Sequence, residues 1–403
     1  MTPAPVVRRF PLFRFLIGAF FVAATASVIV TARVVPELLE LEHWTTDWRV
    51  AVLADRLVAR HPRIAIVVIN EDTLREFHKL NPDEPQTRVP SNRRLLASVV
   101  KAVDAAKPKV IGIDGYFVRP SVRTNDRDDR DKELVEAING ATAEVVMGAI
   151  DEREVTDHNL LSFQNAFLSR VGKREVGFLH IRRESDGVVR YSPKPDANSK
   201  YKEAFASILA RKNGQAMPTG SERIAWLGAP YADGGTFLTI PAHQLMPGLG
   251  NSIAPASALQ DRVVLIGVDY RDVDQYRTPL WKLTRTPMPG VLVRAHMLAQ
   301  LIDGSRPIFD LEPNRVQLLL IGIAIVGMML GFLLHESRLV NYVGWGAATI
   351  ALVLVDALVF LQWRTNLPLM LSLVAWVAGL FAGRFLNPAI VWSYRRMRET
   401  VAK

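Results

Sequence analysis

Three long apolar segments between Val316 and Gly383, separated only by short polar breaks, constrain this chain more than any other feature of it. The first, Val316 to Leu334, carries no charge. At about 1.5 Å rise per residue it nearly crosses a hydrocarbon core of about 30 Å. The second, Leu339 to Trp363, is interrupted only by Asp356, and the third lies between Arg364 and Arg384. The pattern predicts transmembrane helices over residues 315–334, 339–363 and 365–383, followed by a basic tail over 384–403. Only that tail remains after the third span, so no catalytic domain is expected beyond the bundle.

A further uncharged run, Phe15 to Ala32, follows Arg8, Arg9 and Arg14 and is stopped by Arg33. Ala24-Thr25-Ala26 resembles a signal-peptide cleavage site, but the apolar run continues past it to Val30. That continuation favours an uncleaved helix over 15–32. Basic residues on the near side place residues 1–14 in the cytoplasm and residues 33–314 outside, and three more crossings return the tail to the cytoplasm. Arg338 in the inner loop agrees, while Arg364 in the outer loop is an exception.

A net charge of +9 raises the question of nucleic acid. Much of the excess flanks the apolar segments, as topology and anionic headgroups require, so the expected partner is the lipid bilayer and not nucleic acid. The absence of cysteine excludes a disulfide scaffold and thiol chemistry.

Residues 33–314 alternate strand-like and helix-like patterns. Ile64–Ile69, Lys109–Asp114 and Arg262–Val268 read as buried strands, and Arg93–Ala106, Lys132–Asn139, Lys202–Lys212 and Val291–Ile302 as helices. Glu144–Met147 and Val188–Tyr191 read as further strands. Strands this apolar predict a sheet covered on both faces. The expected fold class is therefore an α/β (mixed α+β) extracytoplasmic domain with four transmembrane helices.

Carboxylates gather where the strands run out: Glu71 and Asp72 after the first, Asp114 after the second, and Asp269, Asp272 and Asp274 after the last. Open α/β sheets place their sites at such ends. The candidate ligand site is Glu71, Asp72, Asp114 and Asp274, with Arg49 and Arg94 as cationic partners. The competing reading makes the same residues helix caps, turns or buried ion pairs. The acidic run Asn125–Lys132 lacks calcium-loop spacing, and the eight histidines form no close pair with metal-ligand spacing. Without a nucleophile elbow, P-loop or dinucleotide turn, no metal, cofactor or catalytic residue is expected.

Within the spans, Gly327/Gly331 and Gly379/Gly383 are two G-x-x-x-G patterns, which serve either packing within one chain or a homodimer. Asp356 is a carboxylate at membrane depth that must face protein or water. A structural hydrogen bond or a partner contact fits it better than a proton pathway.

In order, Asp47-x-Arg49, IVVINEDTL (Ile66–Leu74), RVPSNRRLL (Arg88–Leu96), KVIGIDGYF (Lys109–Phe117), Asp131-x-x-Leu134, DGVVR (Asp186–Arg190), DRVVLIG (Asp261–Gly267), Asp274-x-x-x-Thr278-Pro279 and PGVLVRAHML (Pro289–Leu298) form a recognisable series. It resembles the type-2 CHASE domain, an extracellular sensory domain of bacterial membrane receptors, over about Asp47 to Pro307. Two departures stand out: Arg88-Val89-Pro90-Ser91 replaces the usual Trp-Pro-Trp, and Arg294 stands where the family often has His. The resemblance implies a non-enzymatic sensor in the bacterial inner membrane. Its periplasmic domain would detect an unknown ligand, and its helix bundle would pass the signal to a separate signalling or effector protein. The alternative is a structural or scaffold subunit of a cell-envelope complex.

Overall fold

The computed structural model describes scattered residues between 16 and 27, then 35–401 with breaks at 85, 122–129, 156, 173, 196, 216–222, 230–234, 247–255, 304–307 and 334–337. The basic residues 8, 9 and 14, the Ala24-Thr25 pair and most of the acidic run at 125–132 lie outside the described residues. Those described between 16 and 27 are helical. The chain divides into two compact units, residues 50–308 and, together, residues 1–49 and 309–403. The division falls within helix α1 (Pro36–Leu53).

The α/β unit opens with β1 (Asp55–Arg56), β2 (Ile64–Ile69), α2 (Glu71–Leu80), α3 (Arg93–Ala105) and β3 (Val110–Ile113). It continues with α4 (Arg130–Asn139), β4 (Glu144–Ala149), α5 (His158–Arg170), β5 (Glu175–Phe178) and α6 (Phe205–Lys212). After β6 (Leu227–Gly228), β7 (Leu238–Pro241), β8 (Val263–Val268), β9 (Gln275–Tyr276), α7 (Trp281–Thr284) and β10 (Met288–Pro289), it closes with α8 (Gly290–Asp303). Six strands pair in the order β5-β4-β3-β8-β2-β7, every pair parallel.

Pleating sends alternate strand residues to opposite faces. Ala65, Val67, Ile69, Ile111, Ile113, Val264 and Ile266 join a core with Leu95, Val99 and Val103 of α3 and Leu134 and Ile138 of α4. Helices α6 and α8 pack together against the strands from the other side. Burial on both faces is what the unbroken apolar runs predict. Val188 and Tyr191 make only isolated bridges, so the strand expected at 188–191 does not form. The expected boundary at Lys202 moves to Phe205, where Ala204 is extended and opens α6 without a side-chain cap.

Buried arginines tie this unit together. Arg93 Nε donates to Asp131 at 2.9 Å while its guanidinium lies 4.9 Å from the Phe117 ring centroid. Arg190 donates to Glu184 at 2.7 Å and to Asp186 at 2.6 Å. Asp131 thus belongs to a buried ion pair at the start of α4, at the edge of the acidic run.

In the other unit, β11 (Phe309–Asp310) is followed by α9 (Pro313–Leu333) and α10 (Arg338–Trp363); then β12 (Thr365–Asn366) pairs in parallel with β11 and leads into α11 (Leu369–Val401). Among the described residues, Pro313–Leu333, Tyr342–Trp363 and Leu369–Leu386 are long and apolar enough to cross a membrane. The last span starts at Leu369 because Thr365 and Asn366 are taken into the β11–β12 ladder, and its helix continues through the basic tail.

Both G-x-x-x-G patterns are spent on one internal contact. Gly379 lies against the backbone of Ala324 and Gly383 against that of Met328, so α9 and α11 run side by side in the same direction. The polar residues of α1 meet the ends of the other helices. Glu42, Thr46 and Arg49, spaced to share one face, reach three different partners. Glu42 accepts from the first amides of α11, Met370 N at 2.9 Å and Leu371 N at 3.2 Å. Thr46 donates to Asn366 at 3.2 Å. Arg49 forms an ion pair with Asp356 of α10, and its Nη2 donates to Leu367 O at 3.0 Å. Asp356 is therefore a paired structural carboxylate.

Candidate functional site

The C-terminal ends of β3, β4, β5 and β8 open onto the start of α8, and the six candidate residues distribute unevenly around them. Asp114 follows β3, where its backbone amide donates to Ile266 O at 2.8 Å and so continues the ladder one residue past the strand. Asp274 arrives from the β9–β10 arm in a left-handed conformation, φ 54°. Its carbonyl accepts from Gly290 N at 2.8 Å, and its carboxylate sits over the first turn of α8, where the helix dipole favours negative charge. A Cβ at position 290 would come within 2.1 Å of that carboxylate, so only glycine fits there.

One turn into α8, Arg294 joins the two acids. Its Nη1 donates to Asp114 Oδ2 at 2.9 Å and to Asp274 Oδ2 at 3.3 Å. Nε and Nη2 donate to Leu179 O at 3.3 and 2.8 Å, and Nη2 also reaches Tyr116 Oη at 3.3 Å. A guanidinium has five N–H groups, and these contacts use them all. The cluster extends outward, with Tyr116 Oη donating to Glu154 at 3.2 Å and Glu154 lying 3.0 Å from His180 Nδ1.

Charge in this hub is tightly held. Burial drives the Asp114 pKa up to about 6; Arg294 pulls it down and neighbouring Asp274 pushes it up again. Burial likewise raises Tyr116 well above the usual phenol value. Burial works against the charge on Arg294, yet Asp114, Tyr116 and Asp274 together hold its pKa above the ordinary guanidinium value. With every Arg294 donor committed to protein and 3% of its surface exposed, the hub has no free N–H to offer a ligand. Its chemistry is that of a clamp locking the strand ends to α8.

The other four candidates lie elsewhere. Glu71 and Asp72 form the first turn of α2 behind the Asn70 cap, which accepts from Thr73 N at 2.9 Å. Glu71 lies 3.8 Å from Arg88, and Asp72 pairs with Arg75 on the surface at 3.1 Å. Arg94 pairs with Glu84 at 2.8 Å. Arg49 belongs to the membrane unit, on Asp356. Only Asp114 and Asp274 come together, because Arg294 of α8 holds both, whereas the side chains of Glu71 and Asp72 leave with α2 toward solvent. Asp72 in particular is exposed on both sides of its ion pair. The partner that sequence reasoning missed is Arg294, visible there only as a departure from the family's histidine.

A family model for the CHASE2 domain matches residues 22–332, well over half of the chain. The chain belongs to the CHASE2 domain family. CHASE2 domains are a sensory family, and the three apolar helices beside this one mark a membrane protein. No curated protein and no solved structure matches the chain. Within the matched range, several of the sequence blocks meet in internal ion pairs: Arg93 with Asp131, Arg190 with Glu184 and Asp186, and Arg294, itself a departure, with Asp114 and Asp274. Arg88, at the start of the Arg88-Val89-Pro90-Ser91 stretch, pairs with Asp272 at 2.8 Å and lies 4.9 Å from the Tyr270 ring centroid.

Proposed function

We propose that this chain is a non-enzymatic membrane sensor, with its CHASE2 domain on the periplasmic side of a bacterial inner membrane and its helix bundle relaying the signal to a separate partner protein. The observation that carries the relay is the latch on α1. Glu42, Thr46 and Arg49 bind α11, β12 and α10 at once, and the same helix continues to Leu53. A ligand that favours one arrangement of the domain shifts a population that α1 passes on, since these polar contacts make α1 and the bundle ends move as a group.

Two experiments test the reading. A reporter fused after Lys403 is expected to behave as cytoplasmic and one inserted near Ala197 as exported; the reverse result overturns the placement. Asp356→Asn is expected to weaken the bundle by about 1–2 kcal/mol, the scale of interhelical polar contacts in membranes, measured by unfolding in micelles. In the same cells it should shift the basal output of a partner co-purified with the intact bundle. Kinase, cyclase or hydrolase turnover by the purified chain alone overturns the non-enzymatic assignment.

A further inference from the structure

Two neighbouring strands of the sheet send the chain to opposite faces. β2 leads into α2 and α3, and α3 packs on one face, while β8 leads through the β9–β10 arm into α8 on the other. Open α/β sheets bind ligands where such connections part, outside the carboxyl ends of the strands. Here a cleft of about 760 Å³ opens, walled by Leu292 and His296 of α8, Phe237 ahead of β7 and Leu280 of the arm. That volume falls within the range of about 300–1,000 Å³ typical of small-molecule pockets.

The residue that gives this cleft its chemistry is Asp269, directly after β8. Its amide donates to Ile69 O at 3.1 Å, which fixes it at the end of the β2–β8 ladder, and it lines the cleft half-buried. The acids held by Arg93, Arg190 and Arg294 each have a cation; Asp269 has none among the described residues. Its carboxylate accepts one hydrogen bond there, on Oδ1 from Gln275 Nε2 at 3.3 Å, and the shorter bond of that amide, 2.8 Å, goes to Tyr270 O. Oδ2 is left for a ligand. Burial raises the pKa of Asp269; the Gln275 bond opposes the rise, and the charge of Glu71 adds to it. What this carboxylate lacks is a positive charge to favour its ionised form.

The rest of the lining brings no buried positive charge of its own. His296, 2% exposed, is kept neutral by burial, with His61 nearby, its pKa lowered to about 3. Arg56 and Arg60 also line the cleft, but both are exposed and hold interactions of their own, so water and those partners screen them. Phe237, Leu280 and Leu292 add an apolar wall.

We propose that this cleft is the site of a small organic amine, its ammonium group on Asp269 Oδ2 and its apolar body along Phe237, Leu280 and Leu292. The proposal deepens the sensor reading by giving the class of its ligand. Binding is measured without any partner, so each can fail alone: amine binding with no change in output sinks the relay and leaves the site.

The test uses the full chain in nanodiscs of zwitterionic lipid, with the signal of empty discs subtracted. It is titrated calorimetrically with 2-phenylethylamine, with its neutral counterpart 2-phenylethanol and with phenylacetate. The amine is expected to bind saturably and about tenfold or more tightly than either, the scale of one hydrogen bond to a charged group. Asp269→Asn keeps an oxygen for Gln275 but removes the charge. It should bring the amine down to the level of the alcohol and leave the alcohol's own affinity unchanged, whereas a merely structural role would move both. Its unfolding midpoint should match or exceed that of the wild type, because a charge disfavoured by burial is gone. Leu292→Trp fills the cleft from its wall and should abolish binding of amine and alcohol together, which decides the matter if Asp269→Asn folds poorly. Absence of saturable amine binding, equal or tighter binding of the alcohol or of phenylacetate, or unchanged amine affinity in either variant overturns the assignment.

Discussion

Arg294→Met is expected to destabilise the CHASE2 domain by about 3–5 kcal/mol, the cost of leaving buried charge without its partner. The substitution keeps much of the side-chain volume but strips Asp114 and Asp274 of the cation they share. It also orphans Leu179 O, which accepts from that guanidinium twice. A domain of ordinary stability has only about 5–15 kcal/mol in hand, so the variant should unfold at markedly lower denaturant concentration.

The pH dependence separates the charge effect from simple loss of packing. Burial first, and Asp274 beside it, raise the folded-state pKa of Asp114 from 3.8 to about 6. A carboxyl shifted upward binds its proton more tightly when folded. Its favourable contribution is therefore fully present below the unfolded pKa and is lost as pH rises through about 6. Asp114→Asn cannot titrate, and its amide oxygen can still accept from Arg294. Relative to the wild type, this variant should gain stability between pH 4 and pH 7, by on the order of 1–3 kcal/mol. In Arg294→Met the loss should extend to higher pH, since the cation that opposes protonation is gone. Unfolding curves of the full chain across that range check both, and a wild-type-like curve for Arg294→Met would remove the hub from the forces holding the domain.

Much of the CHASE2 fold is legible in the sequence where burial is symmetrical. Ile64–Ile69 and Val263–Val268 are interior strands, covered on both faces, and their uncharged runs rich in Val and Ile announce it. The edges are harder. Leu238–Pro241 and Glu175–Phe178 are short, carry polar or small residues, and become strands only because a neighbour offers them a ladder. Helix α5 hides for a related reason: His158–Arg170 mixes polar and apolar residues with little one-sided pattern, although Gln164 is buried to bond the backbone of Ile150.

The site divides the same way. Asp114 and Asp274 are readable because both come shortly after buried strands, where open α/β sheets place their sites. Arg294 is not, since a basic residue inside an otherwise apolar helix gives no local sign of two acids, one of them 180 positions earlier in the chain. Asp356 could be judged from its depth alone to face protein or water, but the cation that meets it, Arg49, lies 307 residues away.

Gly331→Leu is expected to disrupt the membrane bundle, whereas Gly322→Leu in the same helix should be silent. A Cβ at position 331 would stand 2.1 Å from Leu380 O, and the obstacle is backbone, which cannot turn aside as a side chain can. Overpacking a core usually costs about 1–3 kcal/mol; here α9 and α11 must separate, so the loss should reach or exceed the top of that range. At position 322 nothing lies within 4 Å of the added atom. Both variants add the same apolar mass to the same span, so the difference between them isolates helix contact from membrane insertion. Unfolding in mixed micelles should show it, and the oligomeric state measured alongside identifies what the glycines serve. Their close neighbours, Ala324, Met328, Trp376 and Leu380, belong to this chain, with Leu320 and Leu371 packed beside the seam. Gly331→Leu should therefore lower the stability of each chain at any protein concentration. A variant that stayed folded and merely dissociated from a dimer would transfer the G-x-x-x-G seam to an interface between copies and leave α9 and α11 held by other contacts.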